Sequence, residues 1–138
     1  MSSNELTDIF SISGSALQAQ DQRMKIIAQN IANAGTSPAA PGQKPYQRQV
    51  IAFKNVFDKT VGAYKVEAAG VRSDTTPFVK KYDPSNPAAD KKGYVLMPNV
   101  KPLVEMMDMN EASRSYQANL DVIAASRTMA SRTIALLQ

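Results

Sequence analysis

The chain predicts a mainly α fold with a small β insert: long N- and C-terminal helices form an antiparallel, coiled-coil-like α-domain around a proline-rich, strand-containing middle. Three observations predict it. Apolar residues recur at heptad spacing at both ends of the 138-residue sequence, the pattern two helices need to stay in contact along their length. Seven of the eight prolines fall between residues 36 and 98, where no helical period is visible. A first helix that runs into this middle and a last helix that runs out of it can pair within the chain only in antiparallel fashion. The expected division is therefore an N-terminal helix over 1–35, an extended or β segment over 36–98 and a C-terminal helix over 99–138.

In the first helix a heptad begun at Phe10 places Phe10, Leu17, Met24 and Ile31 at one seam position. Ser13, Gln20, Ile27 and Ala34 occupy the other. Ser2 and Glu5 have the spacing of a capping box, and Gly35 is a natural left-handed stop. Gly14 lies inside the helix, at a cost of roughly 1 kcal/mol relative to Ala.

Pro38, Pro41 and Pro45 then exclude helix. Strands are expected at Tyr46–Phe53, Ala63–Val71, Phe78–Tyr82 and Gly93–Met97, with a turn over Asp83–Pro87. The middle amounts to a small sheet at most.

The last helix is expected to start between Asn99 and Pro102, with Asn99 as N-cap and Pro102 in the first turn. Residues 103–137 contain no Gly or Pro. Its expected seam alternates Met106, Ser113, Leu120, Arg127 and Ile134 with Met109, Tyr116, Ile123, Ala130 and Leu137. A charge at a seam position, as at Arg127, is costly unless paired; either it sets register or it snorkels to water. Each helix carries a half-covered stripe, so the core is expected to be completed by other copies of the chain.

Composition narrows the function. The chain has no Cys and no His, which removes thiolate chemistry, the commonest general base and the commonest transition-metal ligand. No phosphate loop or metal-ligand cluster appears, so no catalytic residue, cofactor or metal is expected. Glu105, Asp108 and Glu111 form a loose acidic patch that reads as a solvated helix face. The start of the chain lacks the pattern of a cleaved secretory signal and no stretch is apolar enough to insert in a membrane. The formal charge of +4 is concentrated in the middle, where Lys44, Arg48, Lys54, Lys80, Lys81, Lys91 and Lys92 lie. Those residues either solvate the region or face neighbouring subunits.

Four motifs in order carry a resemblance. Asn30-Ile31-Ala32-Asn33-Ala34-Gly35-Thr36 resembles the Asn-x-Ala-Asn-x-x-Thr signature of bacterial flagellar rod, hook and hook-associated axial proteins. Tyr82 to Asp90 is similar to a turn of the proximal rod members of that family. Gly93 to Val100 with Glu105-Met106, and Ala112 to Asn119, are similar to the entry and core of their last helix. The resemblance runs essentially end to end and implies a structural subunit of the flagellar basal-body rod. It implies export by the flagellar type III apparatus without a cleaved signal and helical assembly in the periplasm. The terminal helices would then surround the export channel and transmit torque. Implied partners are other copies of the chain, other rod proteins, the export apparatus and the MS ring; neither nucleic acid nor membrane insertion is expected. Asn30, Asn33 and Thr36 are expected to satisfy backbone groups where the first helix ends. Two other readings remain at this point, a binder of nucleic acid or acidic polymers through the basic middle and a soluble coiled-coil adaptor.

Overall fold

A computed structural model of the chain describes residues 3–135. Two long helices, α1 (Ser3–Asn33) and α2 (Pro102–Ala135), flank four strands. Strands β1 (Gln49–Asp58) and β2 (Ala63–Ser73) form one two-stranded sheet, and β3 (Val79–Tyr82) and β4 (Tyr94–Met97) form another. The fold is thus mainly helical with a small β part. The expected Ser2–Glu5 capping box lies outside the described residues, as does Leu137.

The residues divide into two compact units. The first gathers residues 1–24, 52–70 and 110–138, and the second residues 25–51 and 71–109. In the first unit the Ser15 hydroxyl accepts the Val66 N–H at 3.3 Å, which brings α1 against β2. The Ser113 hydroxyl lies 3.6 Å from Met24 Sδ, which brings α2 against α1. At the turn of the β1–β2 hairpin, Asp58 accepts hydrogen bonds from Thr60 and an ion pair from Lys65. The Phe57 and Tyr64 rings meet edge to face, 5.2 Å between centroids.

In the second unit β3 and β4 pair antiparallel, with Lys80 opposite Leu96 and Tyr82 opposite Tyr94. Their connection is stitched by successive Asx turns: Asn86 accepts from Ala88 N–H, and Asp90 Oδ1 accepts from Lys92 N–H and Tyr94 N–H. These bonds hold the Asp90 carboxyl below its ordinary pKa, through the Tyr94 N–H first. Gly93 has φ +80, and a Cβ there would lie 2.9 Å from the Tyr82 ring. Both backbone and space therefore require glycine.

Two helix boundaries differ from expectation. Gly35 is not left-handed. The last turn of α1 closes instead through Ala34 N–H to the Ile31 carbonyl and Thr36 N–H to the Asn33 carbonyl, both 3.2 Å, the tighter geometry common at helix ends. Asn99 is not the N-cap of α2. The Lys101 carbonyl accepts the first helical hydrogen bond, from Glu105 N–H at 3.1 Å, and Pro102 is the first helical residue. The Asn99 side chain is occupied elsewhere.

A buried polar network and an uncovered helix face

The most completely buried large side chains are Glu105, Val95, Asn30 and Pro98. Two of the four are polar, so the second unit is held by hydrogen bonds as much as by apolar burial. Asn30 faces inward near the end of α1, at 1% exposure. Its Nδ2 donates to the Gln49 carbonyl at 2.8 Å and to Glu105 Oε2 at 2.9 Å. Its Oδ1 accepts from Tyr46 O–H and from Gln49 N–H, each at 2.9 Å. Two donors and two acceptor sites are all that an amide side chain offers, and all are used.

Arg48 continues the network. Its Nε donates to Glu105 Oε1 at 2.6 Å, Nη1 lies 3.3 Å from Asp74 Oδ2, and Nη2 lies 3.6 Å from Asp108 Oδ2. The Arg48 N–H donates to Asn99 Oδ1 at 2.7 Å. Asn99 Nδ2 in turn donates to the carbonyls of Asp74 and Thr76, both at 3.0 Å. Asn30 in α1, the chain entering β1, the loop after β2, the loop before α2 and the first turn of α2 therefore converge on one cluster.

The electrostatics follow from burial and charge. Burial works against the Arg48 guanidinium, but the hydrogen bonds and charges of Glu105 and Asp74 outweigh it and raise its pKa above the ordinary arginine value. Burial, with the Glu105 charge behind it, pushes the Tyr46 phenol up. The Thr76 N–H holds the Asp74 carboxyl below its ordinary value, with Arg48 assisting. Glu105 at 1% exposure corrects the reading of the Glu105–Asp108–Glu111 patch as a solvated face. Only Glu111 is fully exposed; Glu105 is buried and tied to Arg48, and Asp108 is half-buried. Arg48, read as a solvating or neighbour-facing residue, is the hub of the network. Spacing alone carried no signal for this, because the partners lie 26 and 57 residues away.

The residues expected to mediate packing fall into two groups. Phe10, Leu17, Met24 and Ile31 are half-buried and Ile27 is buried, as are Ser13 and Ala19. On α2, Met109, Tyr116, Asn119, Ile123 and Ala130 are covered, whereas Met106, Ser113, Leu120, Arg127 and Ile134 are exposed. The companion row to Met109–Ala130 is instead Glu105, Ala112, Asn119 and Ser126, one residue earlier. Polar residues can occupy it because their groups are met locally: Asn119 Nδ2 donates to the Ser115 carbonyl and the Ser126 hydroxyl to the Val122 carbonyl, both at 2.8 Å. Ala112, at 0% exposure, lets the backbone approach closely. The apolar row thereby left open includes Leu103, Met106 and Ile134, each more than half exposed, with Leu120 at 37%. Of the motif residues at the end of α1, Asn33 donates to its own Gln29 carbonyl at 2.8 Å, and Thr36 is exposed and contributes only its N–H.

Comparison with known proteins agrees with this architecture. Residues 10–37 match the family model described as flagella basal body rod protein. Residues 91–136 match the C-terminal model of the flagellar basal body rod FlgEFG proteins. The two long terminal helices thus define the class, the flagellar basal-body rod proteins. Among curated relatives, the flagellar basal-body rod protein FlgC of Agrobacterium fabrum is 46% identical over 127 residues, covering 92% of this chain and 91% of the relative. FlgC of Escherichia coli O157:H7 is 41% identical over 133 residues, covering 96% and 98%. FlgC of Buchnera aphidicola from Acyrthosiphon pisum is 37% identical over 134 residues, covering 95% and 97%. The chain belongs to the FlgC family.

Proposed function

We propose that the chain is a structural subunit of the flagellar basal-body rod that assembles helically through its terminal helices. The observation that carries this reading is the uncovered row Leu103, Met106, Leu120 and Ile134 on α2, joined to membership of a rod family. Exposed apolar side chains spaced along one side of a helix, here with Ser113 and Arg127 among them, mark an interaction surface. In this reading the α-domain built from 1–35 and 99–138 lies innermost around the export channel, with 36–98 outside it. Met24, Ile27, Met109, Tyr116, Asn119 and Ile123 hold the subunit's own helices together. Met106, Leu120, Arg127 and Ile134 meet neighbouring subunits. The chain reaches the periplasm through the flagellar type III apparatus, and its first neighbours include other rod proteins and the MS ring. Family membership disfavours a nucleic-acid binder or a free coiled-coil adaptor, and an enzymatic role finds no support in a family of structural proteins.

The test is complementation of a strain lacking the gene. Leu120→Asp and Ile134→Asp, whose side chains are exposed in the chain, should each abolish motility while the purified subunit keeps its far-UV spectrum. Full motility from both substitutions would overturn the assignment of this row as an interface.

A further inference from the structure

Outside the buried network, the second unit holds eight Lys and Arg residues against only Asp83 and Asp90, a formal +6. The first unit holds seven cations and seven anions. Four of the eight cations, Lys80, Lys81, Lys91 and Lys92, lie on the β3–β4 hairpin, all exposed and none ion-paired within the described residues; with Asp83 and Asp90 in its connection the hairpin carries a formal +2. Tyr82 and Tyr94 stand on the same face as Lys80, ring centroids 5.2 Å apart, and both remain substantially exposed. Lys80 and Tyr94 border a shallow groove of about 670 Å³ whose other lining residues are Asp90, Lys91 and Lys92. The Asp90 carboxylate in its wall is turned onto the backbone N–H groups of Lys92 and Tyr94.

We propose that this lysine–tyrosine face of the β3–β4 hairpin docks an acidic segment, rich in Asp and Glu, of a different protein of the basal body. The proposal rests on the rod-subunit reading, which supplies the setting of a protein assembly. Charge decides against a second copy: its first unit is formally neutral and its second unit repeats the same positive excess. Like charges juxtaposed across an interface oppose association. The side chains favour carboxylates. The groove has no guanidinium fork, the group best matched to bidentate phosphate recognition, whereas mobile ammonium groups suit carboxylates dispersed along a chain. Tyrosines supply the amphipathic contact area typical of protein interfaces.

Two variants test the proposal, with Lys80, Lys91 and Lys92 all changed to Glu or all changed to Gln. All three side chains are exposed, so both variants should keep the wild-type far-UV spectrum and melting profile. In cells the Glu variant should lose motility, and the suppressors selected should be Asp/Glu→Lys changes in another basal-body protein. In vitro a labelled Glu-rich peptide should bind the wild-type chain at low salt, weaken roughly tenfold or more as salt is raised, and fail to bind the Glu variant. A motile Glu variant, or suppressors confined to this chain, would overturn the proposal. So would retention on anionic-lipid vesicles or duplex DNA at physiological salt that the Glu variant loses, since the face would then serve lipid or nucleic acid. Loss of motility in Leu120→Asp combined with a motile Glu variant sinks this proposal alone. Motility in Leu120→Asp and Ile134→Asp as well would overturn the interface row that carries the rod-subunit reading.

Discussion

Asn30 shows how a single short side chain can be irreplaceable. Asp keeps the shape but loses both donors and places a second carboxylate beside Glu105. Gln adds a methylene that a fully buried site has no room for. Asn30→Ala leaves the Gln49 N–H, Tyr46 O–H and one Glu105 oxygen without their partner. Each buried group stranded in this way costs about 1–3 kcal/mol, so the substitution should destabilise the chain by about 3 kcal/mol or more in urea titration. Asn33→Ala, which removes only an exposed bond to Gln29, should cost well under 1 kcal/mol. A loss for Asn30→Ala no larger than that for Asn33→Ala would contradict the network's importance. The acid side of the stability profile follows from the aspartates. Asp58, Asp74 and Asp90 all have folded pKa values below the ordinary carboxylate value, near 3.9 in an unfolded chain. Depressed groups contribute stability above the unfolded pKa and lose it as pH falls through the folded one. Stability should therefore be flat on this account above about pH 5 and decline below about pH 4. Asp74→Asn should make that decline shallower in acid titrations followed by circular dichroism.

At the scale of the element, the register of α2 divides substitutions that look equivalent in sequence. Leu120 and Ile123 are both apolar and three residues apart, yet Ile123 is half-buried against the rest of the chain and Leu120 sits on the open row. Ile123→Asp should lower the stability of the isolated subunit by about 2 kcal/mol or more, because it places a charge in a covered position. Leu120→Asp should leave that stability within about 0.5 kcal/mol of wild type, as surface changes do. Equal melting temperatures for the two variants would refute the observed register. In the β3–β4 hairpin, Gly93→Ala combines positive φ with a clash against Tyr82 and should cost about 1–3 kcal/mol. Much of this scale was legible in the sequence. Both long helices and the existence of four strands follow from periodicity and punctuation, although the first strand, expected at Tyr46–Phe53, runs instead over Gln49–Asp58. One covered row of α2 was not legible, because Glu105, Ala112, Asn119 and Ser126 are not apolar. Their burial depends on small size, an ion pair and bonds to their own helix. The network around Arg48 was hidden for a related reason: no local pattern marks an arginine whose carboxylates come from two distant segments.

At the scale of the whole molecule, the two units differ in how they are secured. The second is cross-linked by the network, while the described part of the first relies on modest apolar contacts and leaves Met129 and Ile134 open to solvent. Amide hydrogen exchange on a dilute monomer should accordingly show stronger protection over 25–33 and 102–109 than over 110–135. Uniform protection along α2 would count against this. The network also has a consequence for timing. Asn30 meets Glu105 across 75 residues, and Arg48 meets the same carboxylate across 57. Contacts this distant close slowly, since the intervening chain must first be looped. Synthesis proceeds from the N-terminus, so the clasp on Asn30 cannot form until residue 105 of 138 has been delivered. A chain still being made has its first helix in hand but no lock to close on it.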